Sequence, residues 1–170
     1  MKVAFASILL ALLAATTIRA AEVWQEFRSP EGKFIALFPG KPKITHEAPD
    51  QRGATSHDFL VDEGGTAYLV GYTDFPPNTF GNKTMDQVFD QQRDNLVEGT
   101  AMVVRVDKPI KNAGQPGREI VIEDPSGFTQ RLSIFLVGSR LYEVISGGPK
   151  GHDTSAAANR FHDSFQLIME

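Results

Sequence analysis

Residues 118–145 read REIVIEDPSGFTQRLSIFLVGSRLYEVI, a run in which apolar and polar side chains alternate and which turn residues interrupt twice. Alternation with a period of two is typical of β-strands, and Asp124-Pro125-Ser126-Gly127 and Gly138-Ser139 are typical of tight turns. The run therefore predicts three antiparallel strands joined by two turns. Gly127 is expected at positive φ, because it ends a bulged Pro-x-Gly turn between strands that reverse at once.

The predicted register divides these strands into two faces, and both carry large apolar groups. One face holds Ile120, Ile122, Leu132, Ile134, Leu136 and Leu141, and the other holds Val121, Arg131, Phe135, Val137, Tyr142 and Val144. Side chains alternate between the faces of a sheet, so an apolar pattern on both faces indicates that both are covered.

The N-terminal segment predicts a second hairpin of the same kind, with strands at residues 23–27 and 33–38 around Ser29-Pro30-Glu31-Gly32. A bulged three-residue loop would pair Ser29 with Lys33 and hold Gly32 at positive φ. It would also gather four side chains on one face, namely Trp24, Arg28, Phe34 and Phe38. Further short strands are predicted at residues 44–48, 54–62 and 66–75.

Two helices are predicted, one in the middle of the chain and one near its end. Thr84 and Gln87 form a capping-box pattern before a helix that ends at Gly99. Its apolar stripe comprises Met85, Phe89, Gln92 and Leu96. This helix is followed by a strand at residues 101–106 and by a link through residues 109–117 that Pro and Gly interrupt. Near the end, Asp153 or Thr154 is expected to cap a short helix through Phe161, before a last strand at residues 165–168.

Strands dominate this pattern, and no strand–helix–strand alternation is present. The sequence therefore predicts one α+β domain: an antiparallel β-sheet meander with helices packed on its faces, an α/β/α sandwich.

The first twenty residues have the order of parts that defines a secretory signal peptide. Lys2 gives a positively charged n-region, residues 3–15 form an apolar run, and small residues surround Ala20. The apolar run is shorter than the roughly 20 residues that a membrane span needs. We therefore expect cleavage after residue 20 and a single mature domain at residues 21–170. Its expected location is periplasmic or secreted, without a membrane anchor.

Composition excludes several kinds of chemistry for an exported chain. There is no cysteine, so disulfides, thiolate metal ligands, a cysteine nucleophile and a lipid-bearing cysteine are all absent. The formal net charge is −4, and loss of Lys2 and Arg19 with the signal peptide makes it more negative by two. No dense Lys/Arg run offers a basic face, so nucleic acid is not an expected partner.

No catalytic, metal-binding or cofactor-binding residue is assigned from the sequence. Three His-Asp dipeptides occur, at residues 57–58, 152–153 and 162–163, but neighbours on a strand point to opposite faces and the helical spacing of metal ligands is missing. No Gly-x-Ser-x-Gly elbow is present. A hydrolase whose site is assembled only by folding stays open as an alternative, and no cofactor is expected.

Charged side chains within the apolar strands form the one candidate binding patch, and it comprises Arg118, Arg131, Arg140 and Tyr142. The structural alternative is a cross-strand ion network, because Arg131 lies diagonal to Glu119 and Glu123 in the predicted register. The functional interpretation is a polar recognition surface beside an aromatic ring.

Four segments together resemble exported bacterial domains of the PsbP/Mog1/DcrB-like type. They are residues 38–42 (FPGKP), 116–119 (PGRE), 137–142 (VGSRLY) and 161–165 (FHDSF). The resemblance implies an antiparallel sheet with helices on both faces, mostly accessory or binding roles, and no catalytic residue. We therefore expect a non-catalytic accessory module of the periplasm or cell envelope that recognises a protein partner. A small periplasmic hydrolase and a small-ligand carrier are the alternatives.

Overall fold

A computed structural model describes residues 23–169, which form two antiparallel sheets and two α-helices. The expected signal peptide and its cleavage site lie outside the described residues. The elements are β1 (Gln25–Ser29), β2 (Phe34–Phe38), β3 (Lys43–His46), β4 (Thr55–Asp62), β5 (Ala67–Asp74), α1 (Met85–Val97), β6 (Val103–Asn112), β7 (Gln115–Glu123), β8 (Thr129–Val137), β9 (Arg140–Gly148), α2 (Ala156–Ser164) and β10 (Gln166–Leu167).

The large sheet has seven strands in the order β3-β4-β5-β9-β8-β7-β6, with every neighbouring pair antiparallel. The three strands predicted from residues 118–145 are β7, β8 and β9. The Asp124 amide donates to the Phe128 carbonyl at 3.0 Å, and Gly127 has a φ of 86°. The bulged turn and the register that follows from it are confirmed.

Each face of the large sheet has its own cover and its own apolar core. Helix α1 inserts Val88 and Phe89 against the face that carries Ile120, Leu132 and Leu141. The small sheet, ordered β1-β2-β10, and helix α2 cover the opposite face, where the largest buried rings are Phe34, Phe38, Phe161 and Phe165. The α+β sandwich and its two predicted faces are confirmed.

The register predicted for the N-terminal hairpin is wrong. Ser29 pairs with Phe34, and the residue at positive φ is Lys33, at 52°, rather than Gly32. As a result Phe27, Phe34 and Phe38 share the buried face. Gly32 is needed for close packing, because a Cβ there would lie 2.7 Å from the Tyr72 ring and from Ser29 Oγ.

Strand β6 is longer than predicted and runs through Pro109, where the sequence pattern indicated a link. Pro109 pairs with Arg118, and β6 is an edge strand of the large sheet. An edge strand tolerates proline because its outward side needs no amide donor. Ala113 and Gly114, both at positive φ, then form a tight hairpin turn into β7.

The capping box of the first helix is confirmed. Thr84 Oγ1 accepts from the Gln87 amide, and the Gln87 side chain accepts from the Thr84 amide. The cap predicted for the second helix is wrong, since His152–Thr154 form a separate 3-10 turn and Ser155 is the N-cap of α2. Neither helix within residues 23–169 has the length and apolar character needed to cross a membrane.

Candidate functional site

The four residues of the predicted patch do not form one surface. Arg118 lies on the face of the large sheet that α1 covers, whereas Arg131 lies on the opposite face. Arg131 pairs with Ser146 of β9, and Ser146 lies six residues along β9 from Arg140. At the usual strand rise, Arg131 and Arg140 are therefore about 20 Å apart. Arg140 and Tyr142 alone are neighbours, because the Arg140 guanidinium lies 5.9 Å from the Tyr142 ring centre. A single patch is therefore excluded.

Arg118 is held by three aspartates that connect α1 with β6. Its guanidinium lies 3.0 Å from Asp107, 3.2 Å from Asp90 and 3.2 Å from Asp86. Arg93 joins the same group at 2.8 Å from Asp107 and 3.0 Å from Asp90. Burial alone would raise the pKa of the Asp107 carboxyl, but hydrogen bonds from both arginines outweigh burial and hold that pKa below its ordinary value.

We call Asp86, Asp90, Asp94 and Asp107 the α1 acidic surface. The three helical members are four residues apart, and four-residue spacing places side chains on one helical face. Asp86 and Asp94 are 85% and 67% exposed. Four carboxylates share two guanidinium groups, and Lys83 adds one more positive charge beside Asp90 and Asp94, so this surface keeps a net negative charge while its side chains are held in position. The aspartate spacing is visible in the sequence, but the binding patch predicted there consists of strand residues and includes none of these aspartates.

Arg131 belongs to a buried ion group on the opposite face. It lies 2.7 Å from Glu119, whose other carboxylate oxygen is 2.8 Å from the Lys108 ammonium, and it donates to the Asn159 side chain on α2 at 2.7 Å. Burial favours a higher pKa for Glu119, yet Lys108 and Arg131 together lower it. The predicted diagonal pair of Arg131 and Glu119 is confirmed, and Glu123 pairs instead with Arg105.

Arg140 connects three parts of the fold. Its guanidinium makes two bonds to the Asp74 carboxylate, at 2.6 and 2.7 Å, and donates to the Glu31 carbonyl in the β1–β2 turn. It also lies 4.3 Å from the centre of the Tyr72 ring. Tyr142 is buried, and its hydroxyl donates to the Gly32 carbonyl at 2.9 Å. The geometry makes both residues structural supports of the N-terminal hairpin.

A serine–histidine cluster is buried between α2 and the large sheet. His162 Nδ1 lies 3.0 Å from Ser133 Oγ, and Nε2 lies 3.1 Å from Ser146 Oγ. Burial, reinforced by the nearby Arg131 charge, lowers the pKa of His162 to about 3. Ser133 and His162 border a polar cavity of about 300 Å³ that Glu119 and Arg131 also line. No pattern in the sequence indicated this cluster, because its members come from β8, β9 and α2.

The His57-Asp58 dipeptide divides between the two faces of the large sheet, as predicted for neighbours on a strand. The His57 ring stacks on Tyr72 at 4.5 Å, and its Nδ1 lies 2.6 Å from that of His46, whereas the Asp58 side chain lies over Gly71 on the other face. Burial raises the pKa of Glu143 on that second face, and the charge of Asp58 raises it further. Within residues 23–169, no three His, Asp or Glu side chains are grouped so as to hold a metal ion.

The fold is similar to that of the cyanobacterial PsbP protein (CyanoP) from Synechocystis sp. PCC 6803, with a TM-score of 0.58 and 12% identity over 92% of this chain and 98% of that chain. A protein from Bacteroides thetaiotaomicron VPI-5482 has a TM-score of 0.45 and 14% identity, covering 85% of this chain and 48% of that chain. PA94 from Pseudomonas aeruginosa, a protein of unknown function, has a TM-score of 0.45 and 7% identity, covering 77% and 86% of the two chains.

No protein-family model matches the chain, and a search of curated proteins gives no significant match. The similarity to CyanoP at 12% identity shows a PsbP-like fold and carries no statement about activity.

Proposed function

We propose that the protein is an exported, non-catalytic accessory module of the periplasm or cell envelope that recognises a basic surface on a partner protein through the α1 acidic surface. The observation that carries this proposal is the fixed, net negative group of four aspartates around Arg93 and Arg118. Carboxylates already held in position lose little conformational freedom on binding, which favours affinity. A negative surface also attracts a basic partner before contact.

An apolar neighbour adds to the case for a protein partner. Val104 pairs with Ile122, so it lies on the same face of the sheet as α1, and it is 37% exposed on the edge strand that also carries Asp107. Protein interfaces combine apolar contact with a charged rim. The helix beneath is anchored by Val88 and Phe89, so the surface has a rigid base.

The properties of His162 support the non-catalytic part of the proposal. A general base works best when its pKa is near the working pH, and that of His162 is about 3. Its two ring nitrogens already contact two serine hydroxyls, Nδ1 that of Ser133 and Nε2 that of Ser146, so neither nitrogen meets the carboxylate that orients a catalytic histidine. We therefore assign Ser133, Ser146 and His162 to the packing of α2 on the sheet.

Charge reversal at the exposed aspartates tests the proposal. The purified protein is used to isolate a partner from envelope extract. The affinity for that purified partner is then measured for the unaltered protein, the double variant and a control variant. We expect Asp86→Lys/Asp94→Lys to weaken binding about tenfold or more, roughly 1.4 kcal/mol, with a smaller difference at high salt. Glu26→Lys, an exposed acid on β1, is the matched control and is expected to bind normally.

Two results would contradict the proposal. Equal partner affinity in the double variant and in the control would mean that another surface binds. Hydrolysis of an ester or phosphoester substrate that Ser133→Ala and His162→Gln both abolish would favour the hydrolase alternative.

A further inference from the structure

An open cavity of about 560 Å³ lies at one end of the large sheet, on a part of the molecule that the proposed function does not use. There the turn between β4 and β5 lies close to the segment that connects β9 to α2. Volumes of 300 to 1,000 Å³ are typical of small-molecule sites. The lining residues are Glu63, Gly64, Gly65, Thr66, Tyr68, Phe128, Pro149, His152, Ser155 and Ala157.

Apolar surface makes up much of this lining. Tyr68 and Phe128 contribute aromatic rings, and Pro149 and Ala157 contribute aliphatic surface. The β4–β5 turn contributes Gly64 and Gly65, where a Cβ would meet nothing within 4 Å. Between Glu63 and Thr66, these two glycines therefore add no side chain to the rim of the cavity.

Two buried polar atoms beside this cavity have no hydrogen-bond partner. They are His152 Nε2 and Thr129 Oγ1, and they are the two such buried side-chain atoms within residues 23–169. His152 is only 7% exposed and Thr129 only 3%. The two residues are close, because Thr129 pairs with Gly148 and a Cβ on Gly148 would lie 2.9 Å from His152 Nδ1. Buried polar atoms without partners are rare in native proteins and need an explanation.

We propose that this cavity binds a small uncharged molecule with an aromatic or aliphatic body and one hydrogen-bonding group, and that His152 receives that group. The apolar walls take the body of the ligand, and the His152 ring, which lines the cavity, turns so that its buried, unpartnered Nε2 takes the polar end. This site is separate from the α1 acidic surface, so the inference does not depend on the proposed protein partner.

The charges of the lining favour a neutral ligand over an anion. Among residues 23–169, the lining includes the Glu63 carboxyl and no lysine or arginine. Burial lowers the pKa of His152, so its ring stays uncharged at neutral pH. A neutral imidazole offers one donor and one acceptor, which suits a hydroxyl or amide group.

The neutral fluorophore N-phenyl-1-naphthylamine tests occupation of the cavity. We expect a saturable rise of its fluorescence with the purified protein. Ala157→Trp, which fills the cavity from α2, should weaken this binding at least tenfold. Ala156→Trp is the matched control, because residue 156 is exposed on the same helix and does not line the cavity. Thr66→Trp fills the cavity from the opposite side, so the test survives if one filled variant fails to fold.

Displacement of the fluorophore by 2-naphthol and by naphthalene tests the hydrogen bond. We expect 2-naphthol to bind roughly three- to tenfold more tightly than naphthalene, in line with one hydrogen bond. His152→Leu should remove this preference, whereas Thr129→Val, a volume-matched change at a buried residue that does not line the cavity, should keep it. The proposal is wrong if the fluorophore does not bind, or if both filled variants bind it as the control does. Equal binding of the two naphthalenes to the unaltered protein would overturn the role of His152.

Discussion

His162 is a histidine that folding keeps uncharged at every pH near neutrality. Burial lowers its pKa from 6.5 to about 3, and it contacts Ser133 and Ser146. In the unfolded chain the same ring takes up a proton below about pH 6.5. Because the folded state binds that proton only near pH 3, this contribution to stability is complete above pH 6.5 and is lost as the pH falls toward 3.

We therefore expect the free energy of unfolding to fall by about 2 kcal/mol between pH 7 and pH 5 through His162 alone. Urea unfolding at the two pH values measures the change. Asp107 and Glu119, whose pKa values are lowered, lose their contributions only at more acidic pH. His162→Gln keeps hydrogen-bonding capacity without a titratable ring and should remove the His162 part of the difference, leaving the part that the lowered pKa of His152 contributes. An unchanged difference in this variant would assign the pH dependence to another group.

Arg140 illustrates how a residue that suggests recognition in the sequence has a structural role after folding. Its two bonds to Asp74, its bond to the Glu31 carbonyl and its contact with Tyr72 all lie within the fold. The hydrogen bonds that Arg140 donates to Asp74 are the largest cause of its raised pKa, and a guanidinium with a raised pKa remains charged.

Arg140→Glu should therefore destabilise the protein by about 2 to 4 kcal/mol, since it breaks a largely buried ion pair and leaves two carboxylates together. Thermal unfolding should show a decrease in Tm of roughly 4 to 15 °C for a chain of this size. Arg52→Glu is the matched control, because the Arg52 side chain is 90% exposed and contributes little. Equal Tm values for the two variants would mean that the Arg140 contacts do not stabilise the fold.

Helix α1 is the element on which the proposed function depends, and its start is defined by one capping box. Thr84 and Gln87 satisfy two amide groups that the first helical turn leaves without partners. Asp86 follows directly in the first turn, where a negative side chain also interacts favourably with the helix dipole. Stability at this end of the helix and the position of the acidic surface are therefore linked.

Thr84→Ala should cost about 1 kcal/mol of stability, because the Gln87 amide loses its acceptor. Chemical unfolding measures the loss. Thr84→Ser keeps the hydroxyl and should be close to the unaltered protein. If alanine is tolerated as well as serine, another group caps the helix. Hydrogen exchange at residues 85–88 distinguishes local fraying of the first turn from a change elsewhere.

The two hairpin turns explain which parts of the fold the sequence could predict. Both contain a Pro-x-Gly pattern, and local chemistry gave the correct turn at Gly127. The same reasoning failed at Gly32, where two contacts distant in sequence act: the Tyr72 ring leaves no room for a Cβ, and the Tyr142 hydroxyl donates to the Gly32 carbonyl. Alternation predicted which residues of β7, β8 and β9 face each core, since that information is local. The register of the N-terminal hairpin depends instead on tertiary contacts.

The candidate sites depend even more on tertiary contact. The cluster around His162 joins β8, β9 and α2, and the cavity beside His152 joins the β4–β5 turn to the start of α2. Sequence spacing carries no signal for either. The α1 acidic surface differs, because three of its four members follow helical spacing, and only Asp107 on β6 needs the structure.

For the whole molecule, the remaining prediction concerns export. The first described element begins at Gln25, and four residues separate it from the cleavage site expected after Ala20, so cleavage there would leave every described strand and helix complete. Expression of the full sequence in a bacterial host should yield a product in the periplasm or medium that begins at Ala21, and its intact mass identifies the first residue. A shift of one or two residues would move the cleavage site only, because Ile18 is larger than the residue usually found three positions before the cut. A membrane-bound product that retains Lys2 would contradict the signal peptide and, with it, the proposed location of the binding partner.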